Sequence, residues 1–182
     1  MGVVHPGSEL NPTKAELLER WLPHQPWWPA GASVPPFQAN FRFDDPEGEV
    51  GIEAFLLPVG DTAVHVPLTY RSAPLDGGVL VGEMDHSALG RRWVYDAESD
   101  PVYLAETTAV IREGRGEVTM LTPAGDAIPR RRFTASVHGS GSGDGTLHVA
   151  RVVDTAAPAE ATGTLTATWA EHPEPVVLAW LA

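Results

Sequence analysis

TAVHVPLTYRSAPLDGGVLVGEMDHSALGRRWVYDAESDPVYLAETTAVI, residues 62–111, is the stretch whose reading decides the fold. It opens with Val64, Val66, Leu68 and Tyr70 at every second position, the period of a strand with one apolar face. Pro74-Leu75-Asp76-Gly77-Gly78 is a turn, since proline pre-sets φ and glycine accepts positive φ. Val79-Leu80-Val81 starts a second strand that runs into Gly82-Glu83-Met84-Asp85-His86. Asp100-Pro101 pairs an N-cap residue with proline at the first helical position. The spacing therefore predicts a helix to about Ile111, with Val102, Leu104, Ala105, Ala109 and Ile111 inward.

Upstream, Thr13 and Glu16 have the spacing of a capping box. A helix over 14–22 follows, with Leu17, Leu18, Trp21 and Leu22 toward a core and Pro23 as its stop. Phe37–Phe43 and Glu49–Leu57 alternate around an Asp44–Gly48 turn and form a hairpin. Short turns then join four strands as antiparallel neighbours with the first helix across one face. Downstream, short strands are expected at 117–121, 133–138, 147–153, 164–169 and 176–181. The glycine run 139–145 reads as a flexible loop. The expected class is α+β, a curved, mostly antiparallel sheet with one or two helices packed on it and further short strands behind. The expected organisation is a loose arm over 1–12, a subdomain over 13–113, and a β-rich subdomain over 114–182 packed on it.

Composition narrows the function. The 182 residues carry a formal charge of −12 and 43% apolar residues, an ordinary globular balance. That charge repels phosphate backbones and anionic lipid, so neither nucleic acid nor membrane is an expected partner. Arg130-Arg131-Arg132 is the one concentrated basic run, read as a solvated edge or turn. The absence of cysteine excludes a disulfide framework and thiolate metal sites. No signal peptide and no apolar run of ~20 residues is present, which makes a cytoplasmic location the expectation.

Four motifs carry a resemblance. They are Trp21-Leu22-Pro23-x-Gln25-x-Trp27 at the first helix's exit, Val66–Leu75 (VPLTYRSAPL), Gly82–Ala97 (GEMDHSALGRRWVYDA) and Asp100-Pro101-Val102-Tyr103. Together they resemble the N-terminal cap of actinobacterial maltokinases, and still more its short stand-alone relatives, often labelled 1,4-alpha-glucan branching proteins. The resemblance implies a cystatin-like arrangement and a role in α-glucan, maltose or trehalose metabolism. It implies a protein of that metabolism as partner, or carbohydrate as ligand. In the kinases a strand after a glycine loop holds phosphate through a lysine; the strand 147–153 has Arg151 instead, and arginine is a poor substitute for a compact charge. No kinase catalytic loop or metal motif follows, and 182 residues leave no room for a helical lobe or a branching-enzyme barrel. The expectation is a non-catalytic domain with no catalytic residues, no metal and no cofactor.

The candidate binding or interaction residues are Trp27, Trp28, Glu83, Asp85, His86, Arg91, Arg92 and Trp93. Trp27, Trp28 and Trp93 form either a sugar platform or, for the first two, a hydrophobic plug where helix meets sheet. Glu83 and Asp85, two apart on a strand, share a face. With His86 they make either a small acid–base or metal constellation or a structural bend whose carboxylates pair with Arg91 or Arg92. Loops on a rigid sheet favour recognition, so part of 83–92 is expected to line an exposed or concave surface.

Overall fold

The computed structural model describes residues 2, 3, 5 and 7–182, with backbone alone at 2 and 3. Its strands and helices run β1 (Gly2–Val3), β2 (Leu10–Asn11), α1 (Lys14–Trp21), β3 (Ala39–Asp44), β4 (Gly51–Val59), β5 (Thr62–Arg71), β6 (Leu80–His86) and β7 (Gly90–Asp96). They continue with α2 (Pro101–Glu113), β8 (Met120–Leu121), β9 (Ser136–Gly139), β10 (Leu147–Asp154), β11 (Gly163–Trp169) and β12 (His172–Leu181). Part of the expected loose arm lies outside the described residues. Its far end does not hang free, because β2 pairs antiparallel with β6 through Leu10–His86 and Asn11–Asp85.

One main sheet, antiparallel throughout its strand pairs, follows the order β2-β6-β7-β5-β10-β12-β11-β9, with β4 and then β3 on the other side of β5. β5 is the organising strand. Thr62–Tyr70 pairs with β4, its end (Leu68–Arg71) pairs with β7, and Val64 pairs with Val152 of β10. The sheet curls until the segment leading into β9 reaches β3, where Asn40 donates to the Phe133 carbonyl at 2.8 Å and accepts from the Ala135 N–H at 2.9 Å. Val118 N–H also bonds the Arg42 carbonyl, so the outer edge of β3 is covered rather than left open to pairing.

Curling creates two cores, one on each side of β4 and β5. Ile52, Ala54 and Leu56 face the inner one with Phe41, Tyr103, Val110, Leu165 and Leu178. Phe55, Leu57, Val64, Val66 and Leu68 face the other, under Leu17, Leu18, Trp21 and Leu22. β4 and β5 are therefore buried on both faces, and β4 does not show the alternation read from its sequence.

Both helices begin where their caps place them. Thr13 and Glu16 exchange the two bonds of a capping box, and Asp100 accepts from Val102 N–H at 3.0 Å. Gly114, with φ +66, closes α2 in the left-handed region. The buried face of α2 differs from the expected one. It is Tyr103, Glu106, Thr107, Val110 and Ile111, while Ala105 is exposed. Tyr103 sets this face, and Glu106 tolerates burial because Arg115 Nη1 holds its carboxylate at 2.7 Å.

The glycine run is also not a free loop. A Cβ on Gly139 would overlap the Val110 carbonyl of α2, and one on Gly145 would overlap the carbonyl of Ala182. Glycine is there because backbone passes against backbone.

Candidate functional site

Residues 83–92 form a hairpin instead of a long loop. β6 and β7 pair in the register Glu83–Trp93, Met84–Arg92, Asp85–Arg91 and His86–Gly90. Gly90 supplies the positive φ (+73) that the turn requires. His86 Nδ1 accepts from the N–H groups of Ala88 (3.1 Å) and Leu89 (3.3 Å), which folds the turn around the imidazole.

Strand period then sorts the candidates. Glu83, Asp85, Arg91 and Trp93 lie on the outer face. Met84, His86, Arg92 and Val94 lie on the face that α1 covers, where Met84 and Val94 are buried. The two carboxylates and His86 are thus on opposite sides of the hairpin. On the outer face Arg91 lies between the carboxylates, with Nη1 3.4 Å from Glu83 Oε2 and Nε 3.4 Å from Asp85 Oδ1. All three side chains are about half exposed, so these pairs contribute little to stability. Arg92 turns back to the Leu89 carbonyl at 2.8 Å. Ser87 Oγ accepts from Glu9 N–H at 2.9 Å, which ties the hairpin tip to the N-terminal segment. The His86 imidazole is held below its ordinary pKa by partial burial and by the neighbouring His5.

The tryptophans do not form a common platform. Trp28 is 6% exposed and donates its Nε1 hydrogen to the Ala32 carbonyl at 3.1 Å. It has no open face for a sugar ring. Trp27 packs edge-on to Trp21, and the Arg151 guanidinium covers one of its faces at 4.7 Å. Trp93 stands on β7 beside Glu83 and Arg71, with Val94 and Tyr95 taking the core positions after it.

Three buried polar clusters escape a reading by motif. Arg151 Nη2 bonds both oxygens of Asp96 (2.6 and 2.7 Å) and Glu98 Oε2 (2.8 Å). Its charge is committed inside the protein, with its side chain 9% exposed. Asp100 accepts a bidentate pair from Arg71 (Nε and Nη2, both 2.7 Å) and a third bond from Thr69 Oγ1 at 2.7 Å. Burial acts to raise the pKa of Asp100, but these donors outweigh it and hold the carboxyl below the usual range. The third cluster sits on Glu53, 3% exposed, which accepts from the sole lysine, Lys14, and from Asn40 Nδ2 at 2.9 Å. Lys14 lies over the rings of Phe55 and Tyr70 at 5.8 and 5.3 Å. Only pairs distant in sequence make these clusters, so the one local signal for any of them is the pairing of Asp100 with Pro101 as a cap.

Among the described residues no group of histidines and carboxylates has the arrangement of a metal site. No helix there is long and apolar enough to cross a membrane. A curled antiparallel sheet with a short helix packed on one face, its strongest ion pairs buried between elements, defines a small α+β domain. Residues 21–100 match the family model of the maltokinase N-terminal cap domain. The match runs from the exit of α1 to the cap of α2 and takes in three of the four motifs that carried the resemblance, with only Asp100 of the fourth, so the resemblance holds over this segment. Comparison with curated proteins and with solved structures gave no match.

Proposed function

We propose that this chain is a non-catalytic, cap-like domain that acts in the cytoplasm as partner or regulator of a protein of α-glucan, maltose or trehalose metabolism. The match of 21–100 to the maltokinase cap supports the metabolic setting. The observation that carries the non-catalytic reading is the commitment of Arg151. This guanidinium, the cation on the strand that the resemblance sets against the kinases' phosphate-holding strand, is neutralised by Asp96 and Glu98 and stacked on Trp27. Freeing it for a nucleotide would leave two carboxylates without their counter-charge. The division of Glu83 and Asp85 from His86 likewise weighs against an acid–base centre there. Binding of glucan through Trp27, Trp28 and Trp93 is the less favoured reading, because Trp28 is enclosed and Trp27 is partly covered.

The test is turnover and binding measured on one preparation. Protein with ATP, Mg²⁺ and maltose or glucose is expected to give no sugar phosphate above a blank. Maltooligosaccharide is expected to leave tryptophan fluorescence unchanged. Sugar phosphate formed above the blank would overturn the non-catalytic reading, and a saturable fluorescence change lost on Trp93→Ala would favour the glucan module.

A further inference from the structure

The protein holds a cavity of about 530 Å³ between the outer face of β3–β4 and the covering segment 117–134, away from both the β6–β7 hairpin and the tryptophans. Ligand cavities of small molecules fall in this size range. Its apolar wall is aromatic. Phe37 packs edge-on to Phe55 (5.1 Å) and Phe133 (6.2 Å), yet Phe37 and Phe133 remain 37% and 38% exposed. Two large aromatic rings left open beside each other at a concave surface offer faces and edges to a flat ring.

The charges around this wall are unbalanced in a particular direction. Four cationic side chains, Lys14, Arg42, Arg130 and Arg131, line the cavity against two carboxylates, Glu53 and Glu117. Lys14 is matched by Glu53 and Arg130 by Glu117. Arg131 has no ion-pair partner among the described residues, and Arg42 makes no direct salt bridge there, its charge acting on Glu53, its cross-strand neighbour, which Lys14 already holds. Arg42 Nε is buried without a hydrogen-bond acceptor among them. Arg131 lies over the Phe133 ring at 5.6 Å, which positions its guanidinium at the edge of the aromatic wall. In a chain of net charge −12, a cavity with two surplus guanidiniums is a local reversal of sign. It also accounts for the basic run: Arg130 and Arg132 pair with Glu117 and Glu171, and only the middle arginine is left without a carboxylate.

We propose that this cavity binds a small organic anion with a flat apolar ring. The ring packs on Phe37 and Phe133, and the anionic group, a carboxylate or a phosphate, is taken by Arg131 and Arg42. Guanidinium is suited to either group, because its planar N–H pairs match two oxygens at once. The site is independent of the partner role proposed above, since neither the hairpin nor Arg151 contributes to it.

Phenylphosphate, phenylacetate and uncharged phenol are titrated into the full chain by calorimetry, with melting temperature recorded for each variant. At least one anion is expected to bind saturably with Kd of about 1 mM or tighter, and at least tenfold tighter than phenol. Which anion binds decides between carboxylate and phosphate. Arg131→Ala is expected to weaken binding about tenfold, the usual size for one charge-assisted hydrogen bond. Phe133→Ala is expected to weaken it severalfold. Arg132→Ala, which alters a paired neighbour, should leave it unchanged. Both Arg131 and Phe133 have exposed side chains, so each variant is expected to fold, and an unchanged melting temperature verifies it. The proposal is overturned if neither anion binds, if phenol binds as well as they do, or if Arg131→Ala binds like wild type.

Discussion

Arg151 Nη2 lies 2.6 Å from Asp96 Oδ1 and 2.7 Å from Asp96 Oδ2, which joins β10 to the end of β7 across the branch in the sheet. The same guanidinium caps Trp27, in the segment leaving α1. One residue of the C-terminal strands thus grips two parts of the cap-like region, the end of β7 and the segment leaving α1. The energetic weight of such a node depends on burial. Asp96 is 8% exposed, so water cannot replace the arginine. Removing one member of a buried pair typically costs about 3–5 kcal/mol.

Arg151→Met is therefore expected to lower unfolding stability by about 3 kcal/mol or more, measured by urea denaturation. Trp27 emission should shift to the red as its covered face meets water. The double change Arg151→Met with Asp96→Asn should recover part of the loss, because it removes the stranded charge. Full wild-type stability in the single variant would show that the node is incidental.

His65 gives the stability a pH dependence of defined sign. It is fully buried on β5, with Nδ1 3.2 Å from the Ala150 carbonyl and its ring stacked near Phe41. Burial first, and then the charge of Arg151, pushes its pKa down to about 3. The unfolded chain, with histidine near 6.5, binds the extra proton over the whole interval between the two values. Stability is thus unaffected by this group above about pH 6.5 and falls as pH drops toward 3, at up to about 1.4 kcal/mol per unit. Replacing His65 with Gln should flatten the slope between pH 6 and 4.5, read as the difference between the two proteins in urea midpoints. An identical slope in both would rule out this assignment.

Asp100 adds a further loss at lower pH. Its carboxyl is held below the ordinary value, so its contribution is present above about pH 4 and disappears as pH falls through its folded pKa. Asp100→Asn should remove that part of the acid transition. It should also destabilise at pH 7, since the bidentate bond from Arg71 and the α2 cap share this one side chain. Stability at neutral pH equal to wild type would contradict that sharing.

Gly139 tests the close approach of β9 and α2. Alanine there places a methyl group against the Val110 carbonyl, a backbone atom that cannot rotate away. A loss of about 1–3 kcal/mol is expected, the range for overpacking. Gly125, which has open space around it, is the contrasting position: alanine meets nothing but a φ of +90. No loss for Gly139→Ala, by thermal melting, would contradict the close approach of β9 and α2.

Much of the architecture was legible because it is local. Capping pairs such as Thr13–Glu16 and the cap Asp100 are short-range bonds, and alternation in β3 records a single covered face. What was not legible depends on curvature. β4 carries Ile52, Ala54 and Leu56 toward one core and Phe55 and Leu57 toward another, and no pattern within the strand says that the sheet bends enough to cover both. The candidate site divided for a related reason. Glu83 and Asp85 were rightly assigned to one face with Arg91, but adjacency in sequence suggested His86 as their neighbour, and the pleat turns it to the other side. The cluster of Glu53 with Lys14 and Asn40 joins three elements and leaves no spacing to read. Arg151 was visible only as a mismatch to a resemblance, and its function in the fold required Asp96, 55 positions away, to be seen beside it.

The most direct test of the partner role is a binding measurement between this protein and purified enzymes of maltose, trehalose and α-glucan metabolism. Biolayer interferometry is run with wild type and with Arg91→Glu and Glu83→Lys, which reverse charges on the exposed face of the hairpin. These exposed residues carry little stability, so melting temperatures are expected to stay within a few degrees of wild type. Saturable binding to one of these enzymes is expected, weakened about tenfold or more by the reversals at unchanged fold. Binding to none of them would contradict the partner role.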